Sequence, residues 1–360
     1  AIDRFCATYD AVVICDHTSG YYGKYKLLPT LVQLQSDITS PFPPLDLMVH
    51  IGEISAASFN DTIPAKEVWR VSEDGELRDP FKKLTTVFQM SEEMFFLHYG
   101  KDGCNRHVLI DECRELFGEI YEQIPELPFC NIWTAMQLSS RLPKGALFHM
   151  GVSNTRRCWN MFQLPESVES ACNVGCCGID GCVSTLVGAS LVNPDRLCYV
   201  VVGDLTFFYD LNSLGNHHIG TNLRVMLVNN GRGTEFRLGI HHCNVFGDDA
   251  DKYMAAAGHF GNKSPLLVKH YAEDLGFHYL SATTKEEFMT ALSNFTNPQL
   301  SDHSMILEVF TDSKDESEAL YLMSHIQSDA KGMVRSKLKD AVRNVAGEKG
   351  INAIKKILKK

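Results

Sequence analysis

The strongest constraint on how this 360-residue chain folds is a pair of apolar runs that each end in polar residues. Residues 197–202 (LCYVVV) lead into Gly203-Asp204, and residues 223–228 (LRVMLV) lead into Asn229-Asn230-Gly231. Short continuous apolar runs without alternation suit strands covered on both faces, the condition of a parallel sheet. Asp204 and Asn230 lie 26 positions apart, about one helix plus one strand. A crossover of that length returns the chain to the same sheet edge. In an open α/β sheet that edge is where ligands bind.

The rest of the chain repeats the alternation. Residues 11–15 (AVVIC), 47–51 (LMVHI) and 67–71 (EVWRV) read as strands, and residues 27–35 and 104–123 read as helices. The segment PELP that follows is a candidate boundary. Beyond it come a helix at 131–142, a strand at 146–150, glycine-rich sequence at 175–188 and a last strand at 304–310 (SMILEVF). YMAAAGHF, LLVKHYAEDLGF and KEEFMTALSNF read as helices between them. The expected fold class is α/β, with two three-layer domains built on mostly parallel sheets. The expected units are residues 1–118, residues 126–312 and a basic amphipathic helix over 331–360.

Composition narrows the function. No apolar run reaches the roughly 18–20 residues that span a bilayer, and the N-terminal sequence lacks the pattern of a signal peptide. The absence of an initiator Met suggests a processed or truncated chain. Twelve Cys without a secretion signal read as free thiols in a reducing cytoplasm. Cys172, Cys176, Cys177 and Cys182 cluster without paired zinc-type spacings and read as small core residues. The net charge of −10 divides into +8 over residues 331–360 and −18 elsewhere. An acidic body of this kind argues against a nucleic-acid partner. The basic tail suits docking on its own protein or partner subunit, or contact with an anionic membrane surface.

A carboxylate at 204 and an amide oxygen at 230 are hard donors, suited to Mg²⁺ or Ca²⁺ rather than zinc. Gly203, Gly231 and Gly233 let backbone approach a phosphate closely, and the helix after Asp204 can turn its first amides toward an anion. The plainer alternative is that Asp204 caps a helix and Asn-Asn-Gly is a turn.

Gly-Asp-x followed about 25 residues later by Asn-Asn resembles the diphosphate-binding signature of thiamine-diphosphate enzymes. The GDL form, the following DLN, and GIDG at 178–181 before STLVGAS are similar to SEPHCHC synthases of menaquinone biosynthesis. The likeness covers residues 126–312 well and residues 1–118 in outline, where it implies a Rossmann-like central domain without cofactor. It implies thiamine diphosphate and Mg²⁺ as cofactors. Asp204 and Asn230 would bind the metal by side chain and Arg232 by its carbonyl. Gly203, Leu205, Thr206, Asn229 and Gly231 would line the diphosphate, with Ile179 propping the bent cofactor. Ser153 and Arg157 match a serine and an arginine of the synthase segment, which puts Arg157 against a substrate carboxylate; a surface salt bridge is its alternative. Val174 stands where those synthases carry an arginine. That departure opens a 2-oxoacid decarboxylase or carboligase of another pathway, or a non-catalytic Mg²⁺- or nucleotide-binding module, as further readings.

The resemblance implies a transferase or lyase acting on a 2-oxoacid in a homodimer or tetramer. Its activating glutamate would come from a pyrimidine-binding domain of the same or a partner chain. Glu53 is the one carboxylate here that invites that role, and it falls in the segment resembling the central domain. The catalytic residue is therefore unassigned, and the chain is expected to be inactive alone. A Mg²⁺-dependent phosphoryl-transfer protein using Asp204 explains the acid but not Asn229-Asn230 or GIDG. No GxGxxG opens a helix after a strand, which argues against NAD. His217, His218, His241 and His242 receive no role.

Overall fold

The computed structural model describes residues 1–38, 42–53, 63–101, 106–175, 177–239, 241–249, 261 and 263–328, without the side chains of His242 and Asp248. In chain order the strands among them are β1 (Val13–Ile14), β2 (Lys26–Leu27), β3 (Leu45–His50), β4 (Ala65–Ser72), β5 (Leu84–Gln89), β6 (Leu147–Met150), β7 (Glu169–Cys172), β8 (Cys198–Gly203), β9 (Leu223–Asn229), β10 (His278–Ala282) and β11 (Met305–Phe310). The α-helices are α1 (Ile2–Tyr9), α2 (Thr30–Leu34), α3 (Glu92–Tyr99), α4 (Val108–Glu122), α5 (Asn131–Leu138), α6 (Asn154–Trp159), α7 (Cys182–Val192), α8 (Asp204–Asp210), α9 (Leu267–Asp274), α10 (Lys285–Phe295) and α11 (Ser313–Ser324).

Three parallel sheets result: the pair β1-β2, the three-stranded β3-β4-β5, and a six-stranded sheet ordered β10-β11-β9-β8-β6-β7. The fold is α/β, as the alternation of apolar runs predicts. In the large sheet the chain passes from β6 outward to β7, then crosses back to β8 on the other side of β6. The direction of winding thus reverses between β6 and β8, and a crevice opens beyond their carboxyl ends.

The central strands show why these runs carry no polar alternation. Along β8, Tyr199 and Val201 join one hydrophobic cluster, while Cys198, Val200 and Val202 join the other. Along β9, Met226 and Val228 face the first and Val225 and Leu227 the second. Both faces are dry, so both positions of the two-residue repeat must be apolar. Each fully buried Val or Leu side chain contributes about 1.5–3 kcal/mol of hydrophobic transfer energy. That burial fixes where the strands stop and where their polar tips begin.

The first segment differs from a sheet covered on both faces. β3 and β5 are half-buried along most of their length, and a small core of Val71, Phe95 and Phe96 backs the three strands. The β1-β2 pair joins the large cluster instead, which runs from Cys6 and Tyr25 through Trp133 and Trp159 to Met323. β5, α3, α6, α7 and α11 are elements the sequence reading does not separate. Strands β7 and β10 also escape it, because as sheet edges they leave most of their side chains half-buried or exposed. Residues 27–35, expected to be helical, divide into the end of β2 and the short α2. β11, last in sequence, lies inside the sheet between β9 and β10. The expected helices at YMAAAGHF and over 331–360 lie outside the described residues. Among those described, no helix is long and apolar enough to cross a membrane.

Candidate functional site at the carboxyl edge of the six-stranded sheet

Parallel pairing puts the two polar tips side by side. Gly203 on β8 pairs with Val228 on β9, and Met150 on β6 pairs with Val201 on β8. One residue beyond each register position come Asp204 and Asn229, and Asn230 follows. Asp204, Asn230 and the Gly151–Ser153 loop therefore share one sheet edge, beside the β6–β8 crevice.

Asp204 opens α8 and is 2% exposed; its Oδ1 accepts the Leu205 amide at 2.7 Å. Gly203 precedes it in extended conformation, and nothing lies within 4 Å of where a Cβ would sit. Leu205 is half-buried and Thr206 buried. On the neighbouring strand, Asn230 Oδ1 accepts the Arg232 amide at 3.4 Å. Gly231 turns there at φ 77°, a left-handed conformation that suits glycine. The Asn-Asn-Gly segment is thus a turn, yet a turn that holds Asn230 half-buried at the edge. Beyond it the Thr234 hydroxyl is buried with no hydrogen-bond partner among the described residues.

These features fit a Mg²⁺-bound diphosphate. A carboxylate and an amide oxygen supply hard donors, Gly203 leaves the space a side chain would fill, and the Thr234 hydroxyl is positioned beside the turn with its capacity unmet.

Sequence reading missed Glu308. It sits in β11, 1% exposed, with Leu307 and Val309 on either side in the core. Its Oε1 accepts Asn229 Nδ2 at 2.7 Å, and its Oε2 accepts the Tyr279 hydroxyl at 2.7 Å. Asn229 Oδ1 in turn accepts the Gly231 amide at 3.2 Å. Burial raises the Glu308 carboxyl above the usual range; the two hydrogen bonds pull it back, and the nearby Asp204 charge adds to the rise. The available signal was a lone acid in SMILEVF, since a charge inside an apolar strand needs buried partners.

Ser153 and Arg157 flank the crevice from α6. Ser153 is exposed and adopts φ 59°, ψ −122° just before the helix, a region that costs a non-glycine residue about 1–3 kcal/mol. Arg157 forms a two-pronged pair with Glu235, Nη1 to Oε2 at 3.0 Å and Nη2 to Oε1 at 2.7 Å. Both side chains are about one-fifth exposed, at 22% and 20%. The guanidinium thus ties α6 to the segment after the Asn-Asn-Gly turn. Behind it, Asn154 Oδ1 accepts Arg157 Nη1 at 3.3 Å. Asn154 also bonds Glu316, which accepts the Asn131 amide and the Thr311 hydroxyl at 2.9 and 3.0 Å. Burial pushes the Glu316 carboxyl up to about 7 despite those bonds.

The GIDG loop follows β7 at the same edge. Ile179 and Val174 are both half-buried there, and Gly181 starts α7 at φ 82°. The described cysteines are free thiols, and burial pushes those of Cys172 and Cys182 up to about 12 and about 11. Glu53 lies apart from all this, after β3. It is ion-paired with Arg70 and Arg78, whose hydrogen bonds outweigh desolvation and hold its carboxyl below the usual range. His217 and His218 are exposed and pack ring to ring at 3.8 Å, and His241 Nδ1 accepts the Cys243 amide at 3.1 Å. Two clefts open elsewhere: one of about 610 Å³ between α7 and residues 212–218, the other of about 380 Å³ between residues 22–28, α4 and residues 163–170. Neither is lined by the β8 and β9 tips.

Fold and site together define a class: a parallel α/β protein whose strand tips gather hard oxygen donors around open backbone. Comparison with known sequences supplies the family. The chain is 33% identical over 263 residues to the 2-succinyl-5-enolpyruvyl-6-hydroxy-3-cyclohexene-1-carboxylate (SEPHCHC) synthase of Bacteroides fragilis, covering 71% of this chain and 45% of that protein. It is 32% identical over 265 residues to the enzyme of the same name from Phocaeicola vulgatus, covering 71% and 44%. A third, from Christiangramia forsetii, is 33% identical over 199 residues, covering 55% and 33%. The chain is a relative of the SEPHCHC synthases over this span, which supports a thiamine-diphosphate-dependent enzyme family. It spans about half the length, or less, of the curated relatives it matches. No protein-family profile matches it.

Proposed function

We propose that this chain is the diphosphate- and Mg²⁺-holding part of a thiamine-diphosphate-dependent carboligase or decarboxylase that acts on a 2-oxoacid. The observation that carries the reading is the register of β8 and β9, which sets Asp204 and Asn230 at adjacent tips of parallel strands. When bound, the cofactor supplies the carbanion chemistry of decarboxylation and carbon–carbon bond formation. The chain's own residues would do the holding. The Asp204 carboxylate and Asn230 amide oxygen, with the Arg232 carbonyl, would ligate Mg²⁺. Gly203, Leu205, Thr206 and Gly231 would line the diphosphate, Asn229 would shape that turn from behind, and Ile179 would pack against the cofactor's bend. Ser153 would reach the substrate from the crevice, and Arg157 would face it once it parts from Glu235.

The likeness to thiamine-diphosphate enzymes favours a site completed by a second body, a pyrimidine-binding domain of the same or a partner chain in a dimer or tetramer. Residues 1–118 would be the cofactor-free central unit and 126–312 the diphosphate unit. The basic tail would dock on the protein or an anionic membrane surface, and the protein would work in the cytoplasm. By itself the chain would bind Mg²⁺–thiamine diphosphate weakly and release no CO₂ from 2-oxoacids. A second reading, a decarboxylase of another pathway or a non-catalytic nucleotide-binding module, draws support from uncharged Val174 and from the closed Arg157–Glu235 pair.

Calorimetry with thiamine diphosphate plus Mg²⁺, against ATP and a sugar nucleotide, separates a thiamine-diphosphate site from a nucleotide-binding module. Heat from thiamine diphosphate alone of the three is expected. Asp204→Ala should weaken that binding about 100-fold or more, the scale of an oxygen ligand lost from a divalent ion. Equal binding by that variant overturns the site.

A further inference from the structure

We propose that Glu308 and Tyr279 are positioning residues for the Asn229–Gly231 turn, fixing the orientation of the Asn229 amide and through it the placement of Asn230. The inference rests on the Mg²⁺–diphosphate reading above and adds two residues that touch neither metal nor cofactor.

An asparagine side chain can turn either way, because its oxygen and nitrogen occupy nearly the same volume. An ionised carboxylate can only accept. Glu308 Oε1 therefore demands the nitrogen of Asn229, at 2.7 Å, and Tyr279 donates to Oε2 at 2.7 Å and holds the carboxylate in place. The Asn229 oxygen is then left to accept the Gly231 amide at 3.2 Å. A reversed amide would set donor against donor at that point. The Asn229 carbonyl is pinned as well, accepting the Thr311 amide at 3.1 Å. Asn230 thus sits between two immobilised neighbours, with Gly231 held at φ 77°. A binding geometry stays within about 0.5 Å of its productive form only when such outer contacts lock it.

Packing does not explain a carboxylate here. Glu308 is 1% exposed and Asn229 4%, on strands whose other positions are apolar apart from Arg224 near the start of β9. Replacing a buried charged group with an apolar one of similar volume is often neutral or stabilising. The specific effect of the carboxylate is directional. The two strands are paired so that Glu308 lies opposite Leu227 and Phe310 opposite Asn229, which sets the acid one step behind the turn. Tyr279 enters from β10, whose Ser281 pairs with Glu308.

The test uses the whole chain as wild type, Glu308→Gln and Tyr279→Phe. Mn²⁺ serves as the paramagnetic stand-in for Mg²⁺, titrated in the presence of thiamine diphosphate, with melting of the metal-free proteins measured alongside. Glu308→Gln keeps shape and loses the acceptor-only character. It should weaken Mn²⁺ binding about 10- to 100-fold, the usual effect of losing an outer contact at a metal site. Tyr279→Phe keeps the carboxylate and should weaken binding about 3-fold, with both melting curves close to wild type. Wild-type affinity in both variants overturns the positioning role and leaves the cofactor site standing. A loss of affinity that merely tracks earlier melting overturns it too. Failure of the wild type itself to bind Mn²⁺ with thiamine diphosphate overturns the cofactor site, and this inference with it.

Discussion

The two larger sheets obey the same pairing rule and do different things with it. In the six-stranded sheet, β8, β9 and β11 are buried at nearly every position, and their tips meet beside the crevice between β6 and β8. In the three-stranded sheet, β3 and β5 are half-buried or exposed at most positions, and the tip of β3 carries Glu53, clasped by Arg70 and Arg78. Parallel strands alone do not make a site. Burial on both faces sets the strand ends firmly enough for two side chains from different strands to be held in a fixed relation. The smaller sheet lacks that support and closes its tip with an ion pair.

Matched substitutions put the contrast at risk. Leu227→Ala in β9, where the side chain is fully buried, should cost about 4 kcal/mol in denaturant unfolding, while Leu47→Ala in half-buried β3 should cost about 1 kcal/mol. Equal costs would mean the large sheet is no stiffer. The two carboxylates should also move stability in opposite directions. Glu316 is raised from 4.5 to about 7 in the fold, so its contribution is complete below about pH 4.5 and lost as pH rises through 7. The loss is about 3 kcal/mol, and Glu316→Gln should remove it from the pH profile of unfolding. Glu53 is lowered, so its smaller contribution is present at neutral pH and disappears on acidification. Parallel pH trends for the two would break the distinction. The smallest effects concern backbone. Ser153→Gly relieves a positive φ beside the crevice and should stabilise by about 1 kcal/mol, while Gly52→Ala imposes one after β3 and should destabilise by about as much.

Much of the large sheet was legible because its strands are extreme. LCYVVV and LRVMLV can hardly be anything but doubly covered strands, and both polar tips fall within a residue of the expected place. Edge strands β7 and β10 were not legible, since a strand buried on one side and frayed at an edge leaves no clean pattern. The candidate residues on the tips were read from their type and spacing. Their supporting cast was not. Glu235 meets Arg157 across 78 positions, and Glu308 meets Asn229 across 79. No local pattern encodes a partner that distant. What the sequence does carry is the anomaly itself: an acid in the middle of SMILEVF must be answered somewhere.

Gly203 has one further consequence. Its backbone angles are ordinary and no atom stands where a methyl group would go, so an alanine there would express, purify and melt like the parent. Damage at this position would pass any screen that sorts variants by solubility or heat resistance. On the cofactor site proposed above, it would surface only when binding of thiamine diphosphate is measured.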